Sequence, residues 1–90
     1  ADYREMLRAE LIERCNRNSR YSLRSFARHL KLDPARLSDI LNGKKGLSRP
    51  AAEALTEILG LSPGEAEFFC DSVDACHARS RIARREAQAR

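Results

Sequence analysis

Ala35, Arg36, Ser38, Asp39 and Asn42 are interleaved with Leu37, Ile40 and Leu41 in one short stretch, and Lys44 and Lys45 follow at once. On a helix the three aliphatics share one side, which leaves the small, guanidinium, acidic and amide groups on the other. That set suits the reading of base edges in double-stranded DNA. An α-helix fits the roughly 12 Å major groove, a small Ala35 permits close approach, and Arg36 can reach guanine O6 and N7. Asp39 can accept from a cytosine amino group or orient Arg36, and Asn42 can bond a base edge or a phosphate. Groups suited to the DNA backbone stand on either side. Ser22 offers a hydroxyl and the positive end of a helix, with Arg24 in the same turn, while Lys44, Lys45, Ser48 and Arg49 serve on the other flank.

Other chemistry finds little support. His29 falls on the outer side of its helix, and His77 follows Cys76 directly, but adjacent helical residues point about 100° apart and do not form a pair. No paired carboxylates and no glycine-rich phosphate loop occur, so an enzyme is not expected. Cys15, Cys70 and Cys76 are odd in number and lack CxxC spacing, which argues against a disulfide framework or a metal site and for small buried hydrophobes. No cofactor is expected either.

The elements that must position the candidate groups are all helical, since apolar residues recur at three and four and never alternate. Tyr3, Met6, Leu7, Leu11 and Cys15 predict an amphipathic helix over about 3–16. Ser22 caps a second helix with Leu23, Phe26, Ala27 and Leu30 on its inner face. Asp33 and Pro34 start a third, ended by Gly43 in a left-handed conformation. Only a turn of three or four residues separates the second and third, the connection of a helix-turn-helix. Ser48 caps a fourth helix with Leu55, Ile58 and Leu59 in the core, up to Gly60. Ser62 and Glu65 form a capping box around Pro63 and open a fifth. Its inner face is Ala66, Phe69, Val73 and Cys76, and the basic residues 78–90 continue it.

Ninety residues that are 42% apolar and 33% charged describe one small globular domain with a modest core. No run approaches a membrane span and no signal stretch opens the chain, so a cytoplasmic protein is expected. The net charge of +4 is unevenly spread. Residues 22–49 carry seven Lys or Arg against Asp33 and Asp39, whereas residues 50–77 carry six acids and no Lys or Arg. The molecule is polarised, with one side suited to a polyanion. The arginines of 78–90 reach a phosphate backbone or an acidic membrane in one reading and form a solvated linker helix in the favoured one.

The stretch "SLRSFARHLKLDPARLSDILNGKK" resembles the helix-turn-helix of phage-repressor domains of the lambda Cro/cI or Xre type. The resemblance rests on Ala27 in the second helix, Leu37 in the third and the Asn42, Gly43, Lys44 ending. "YSLRSFARHL", "LSDILNGKKGLS" and "LGLSPGEAEFF" also resemble the N-terminal part of an uncharacterised bacterial family of longer proteins, which implies a missing C-terminal region. The resemblance implies an all-α, compact five-helix lambda-repressor-like domain over 1–77 with a basic helical tail over 78–90. It implies a bacterial, nucleoid-associated transcriptional regulator whose recognition helix, 34–42, enters the major groove, and a homodimer. It places phosphate contacts at Ser22 and near Asn42 and Lys44, and base readers at Pro34, Ala35, Arg36 and Asp39. The chain departs from the pattern in three ways: Lys31 stands at the usual turn glycine, Leu23 at the glutamine that often opens the second helix, and Pro34 with Ala35 where amide readers are common. Specificity then rests on Arg36 and on DNA shape. Phe68, Phe69 and Val73 mark the fifth helix, or the tail, as the place for a partner surface; the alternative is that both aromatics are core, the favoured reading for Phe69. The competing reading is a protein-interaction module that keeps the fold and works through its acidic 50–77 segment.

Overall fold

Each helix begins at a residue able to accept from its own orphan backbone amides. The computed structural model describes residues 2–89 and contains α1 (Tyr3–Arg17), α2 (Leu23–Leu30), α3 (Pro34–Leu41), α4 (Arg49–Leu59) and α5 (Pro63–Ala89), with no strand among them. Asp2, Ser22, Asp33 and Ser48 cap the first four through side-chain oxygens. At the head of α5, Ser62 N–H donates to Glu65 Oε1 at 3.1 Å and Glu65 N–H to Ser62 Oγ at 3.3 Å, the expected capping box. The Ser62 backbone donor, and then its hydroxyl, hold Glu65 below the usual carboxylate range. A carboxyl depressed in the folded state stabilises fully at neutral pH, and that contribution is lost as pH falls through its folded pKa.

Three helices stop in the same way. Leu32 N–H reaches back to Ala27 O, Lys44 N–H to Asp39 O and Leu61 N–H to Thr56 O, and beside each the preceding residue's N–H bonds the carbonyl three residues before it, which is the Schellman arrangement. The residue at its centre must be left-handed. Gly43 (φ 78°) and Gly60 (φ 66°) take that conformation without a Cβ, whereas the α2 to α3 turn places Lys31 there at φ 60°. The turn thus keeps the repressor-like geometry without the glycine. Lys31→Gly is expected to stabilise the chain by about 0.5–1 kcal/mol, since the left-handed penalty of a side chain exceeds the unfolded-state entropy that glycine adds. A rise of a few degrees in Tm by thermal denaturation checks this.

The core gathers one stripe from every helix. Tyr3, Leu7, Phe26, Ala27, Leu30, Leu37, Ile40, Leu41, Ala52, Leu55, Phe69, Cys70 and Val73 are buried, and Tyr3 meets Phe69 edge-on with centroids 5.7 Å apart. Leu47 is buried as well and ties the basic 43–48 loop to the core. The fourth helix differs from expectation. Its buried stripe is Ala52, Leu55 and Thr56, so Ile58 and Leu59 flank the core and are only partly covered. Thr56 tolerates burial because its hydroxyl donates to Glu53 O at 2.7 Å. Burial also pushes the Cys70 thiol up, which keeps it protonated and unreactive.

α5 is unbroken across the 77/78 boundary assigned to a domain and a tail, and every residue from His77 to Ala89 is exposed. Twenty-seven residues at about 1.5 Å each give about 40 Å of helix, which accounts for most of the 48 Å long axis. No helix among the described residues is long and apolar enough to cross a membrane.

Candidate nucleic-acid interface

α3 is held rigidly from its inner side and both ends. Leu37 and Ile40 are fully buried and Leu41 nearly so. Asp33 Oδ1 accepts from the amides of Ala35 at 2.8 Å and Arg36 at 3.4 Å, and Pro34 occupies the first turn without wasting a donor. At the other end two arginines of α1 act as a clamp. Arg4 donates to Ile40 O at 2.8 Å and Lys45 O at 3.1 Å, and Arg8 donates twice to Leu41 O, at 2.8 and 3.2 Å. Leu41 O takes no backbone donor among the described residues, Ile40 O also accepts from Gly43 N–H at 3.2 Å, and a cation at this end opposes the negative end of the helix dipole. Arg4 and Arg8 were not among the residues expected to matter. Their spacing of four on the flank of the Tyr3 and Leu7 stripe was the only trace of them in the sequence.

The outward face carries the expected groups. Ala35, Arg36 and Asn42 are exposed, while Ser38 and Asp39 are half-covered. Arg36 makes no side-chain hydrogen bond and no ion pair among the described residues. Its guanidinium is free to approach a ligand. Asp39 does not orient Arg36. Its carboxylate lies 3.7 Å from Lys45 Nζ, and its carbonyl accepts from the amides of Lys44 and Lys45, so it braces the loop that follows the helix. Asn42 donates to Ser38 Oγ at a long 3.4 Å.

Among the groups assigned to phosphate, Lys44 and Arg24 are exposed and have no acceptor among the described residues. The Ser22 hydroxyl accepts from Ser25 N–H at 3.3 Å and lies 3.2 Å from Ser25 Oγ, and Ser48 Oγ accepts from Ala51 N–H at 3.3 Å. Arg49 departs from the expected clamp. Its guanidinium bonds Asp74, lies 3.3 Å from Glu53 and 3.5 Å from Asp71, and is thereby tied to the acidic segment instead of standing beside Lys45. The hydrogen bond it donates to Asp74 and then the one it donates to Glu53 raise its pKa above the ordinary arginine value. Arg49→Ala is therefore expected to lower Tm only slightly, because exposed ion pairs contribute little. It leaves the salt dependence of any DNA affinity unchanged, which parallel titrations of the variant and the parent at two salt concentrations read directly.

Residues 6–69 match a protein family described as a helix-turn-helix domain, a span that runs from Met6 in α1 to Phe69 in α5. No curated protein and no solved structure matches the chain.

Proposed function

This chain belongs to the helix-turn-helix domain family, and we propose that it is the double-stranded-DNA-binding domain of a bacterial transcriptional regulator of the Xre type. The observation that carries this reading is the pairing of a locked α3 with a partnerless Arg36 on its exposed face. Free energy spent fixing α3 before binding need not be spent on complex formation. In the bound state Arg36 donates to a guanine edge, Ala35 allows close approach, and Ser38 and Asn42 add polar contacts. Asp39 contributes mainly through Lys45. Arg24, Lys44 and Lys45, with the Ser22 and Ser48 helix ends, contact phosphates and displace counterions. Arg49 is left out of that set.

Residues 1–77 form the binding unit in this reading and 78–90 a linker toward a further C-terminal region. The chain acts as a homodimer on half-sites about one helical turn apart. Phe68 and Ile82, 51% and 56% exposed, lie 14 residues apart on the outer side of α5 and offer two separate apolar anchors to the second subunit. The test is selection from a random duplex pool at two salt concentrations. Enrichment of a two-fold symmetric motif, with log K falling against log salt at a slope of about −3 per subunit for three cationic phosphate contacts, supports the reading. Absence of binding at low salt overturns it in favour of an interaction module.

A further inference from the structure

A half-open cleft of about 170 Å³ lies between the 43–47 loop and the second half of α5. Arg4, Lys44, Lys45, His77, Ser80 and Arg84 face it, and no carboxylate among the described residues lines it. His77, Ser80 and Arg84 continue the line of Phe69 and Val73, so the inward stripe of α5 turns from apolar to polar where the helix leaves the core and passes the loop. The tail arginines are thus not equivalent. Arg84 joins this wall, while Arg79, Arg81 and Arg85 do not.

The cations that gather here are incompletely neutralised. Arg4 spends its donors on the carbonyls of Ile40 and Lys45, which leaves its charge in place, and Asp39 answers Lys45 alone. Lys44 and Arg84 have no acceptor among the described residues. Like charges collected around one concavity repel, and an anion placed between them removes that cost while gaining charge-assisted hydrogen bonds. The space takes a phosphate group with part of its hydration shell.

We propose that this cleft binds a free phosphate, either inorganic or carried on a small monoester, between Lys44 of the loop and Arg84 of α5. The site stands independently of the DNA reading. If that reading holds as well, Lys44 is shared between the two ligands, and occupancy of the cleft weakens duplex binding.

The test is a titration of the full chain with inorganic phosphate, followed by amide chemical shifts, against sodium chloride at equal ionic strength. Saturable shifts confined to residues 43–46, 80 and 84 are expected. Arg84→Ala should weaken binding by about tenfold, the size of one charge-assisted contact, and Arg81→Ala should leave it unchanged. Arg84 is exposed and unpaired, so its removal does not threaten the fold. An equal response to chloride, or equal losses in the two variants, overturns the site in favour of diffuse screening. Saturation by phosphate in a chain that binds no duplex keeps the site and removes only the DNA reading.

Discussion

An Arg36→Ala, Lys44→Ala double variant is expected to bind the selected duplex at least about a hundredfold more weakly than the parent, with its motif blurred at one base position. The two residues contribute differently. Arg36 stands on the exposed face of α3 without an internal partner, so truncation removes a bidentate base contact of about 1–3 kcal/mol and relaxes specificity where that base lies. Lys44 acts on phosphate, so its loss weakens all sequences alike and reduces the magnitude of the salt slope by about one. Because neither side chain holds the fold, circular dichroism and Tm should stay near the parent values. Fluorescence anisotropy at two salt concentrations, with each single variant beside the double, separates the components. Full affinity in the double variant would remove α3 from the interface.

Phe69→Ala is expected to cost about 3–5 kcal/mol, a large part of the roughly 5–13 kcal/mol available to a chain of this length. The ring is wholly buried, lies edge-on to Tyr3 and joins α5 to α1. α1 in turn carries Arg4 and Arg8, which fix the end of α3, so the loss reaches the candidate interface through packing. Thermal denaturation should show a fall in Tm of at least about 12 °C, at roughly 4 °C or more per kcal/mol in a small domain. The neighbouring Phe68→Ala is the control. That ring is 51% exposed, and its removal should change monomer stability by less than about 1 kcal/mol. Similar losses in both variants would mean that the outer face of α5 is already covered, as a stable dimer would require.

The same adjacent pair shows what was legible in the sequence. Periodicity alone put Phe69 on the inner face of α5, and it put Leu37, Ile40 and Leu41 beneath a face that bears Arg36. Asp33 with Pro34, and Ser62 with Glu65, announced two helix starts, and Gly43 and Gly60 two ends. These signals are legible because their causes act within one or two turns: a side chain satisfies an amide three residues away, or a missing Cβ admits a positive φ. Position in the turn even carried over to Lys31, which adopts the left-handed conformation that its place demands.

Helix-to-helix pairing was not legible. Ile58 was expected in the core and Thr56 was not, since the stripe a helix buries depends on where its neighbours cross. Among seventeen Lys and Arg, nothing local marked Arg4 and Arg8 as the two that would reach the carbonyls of α3, or Arg49 as the one drawn away to Glu53, Asp71 and Asp74. Every helix leaves the same orphan carbonyls, and every exposed cation is long and flexible enough to serve several partners. The sequence by itself therefore determined the helices, their caps and the residues offered to a ligand. Only the tertiary structure decided which charges remain free, because that depends on which helix ends and carboxylates the packing brings within about 4 Å of each cation.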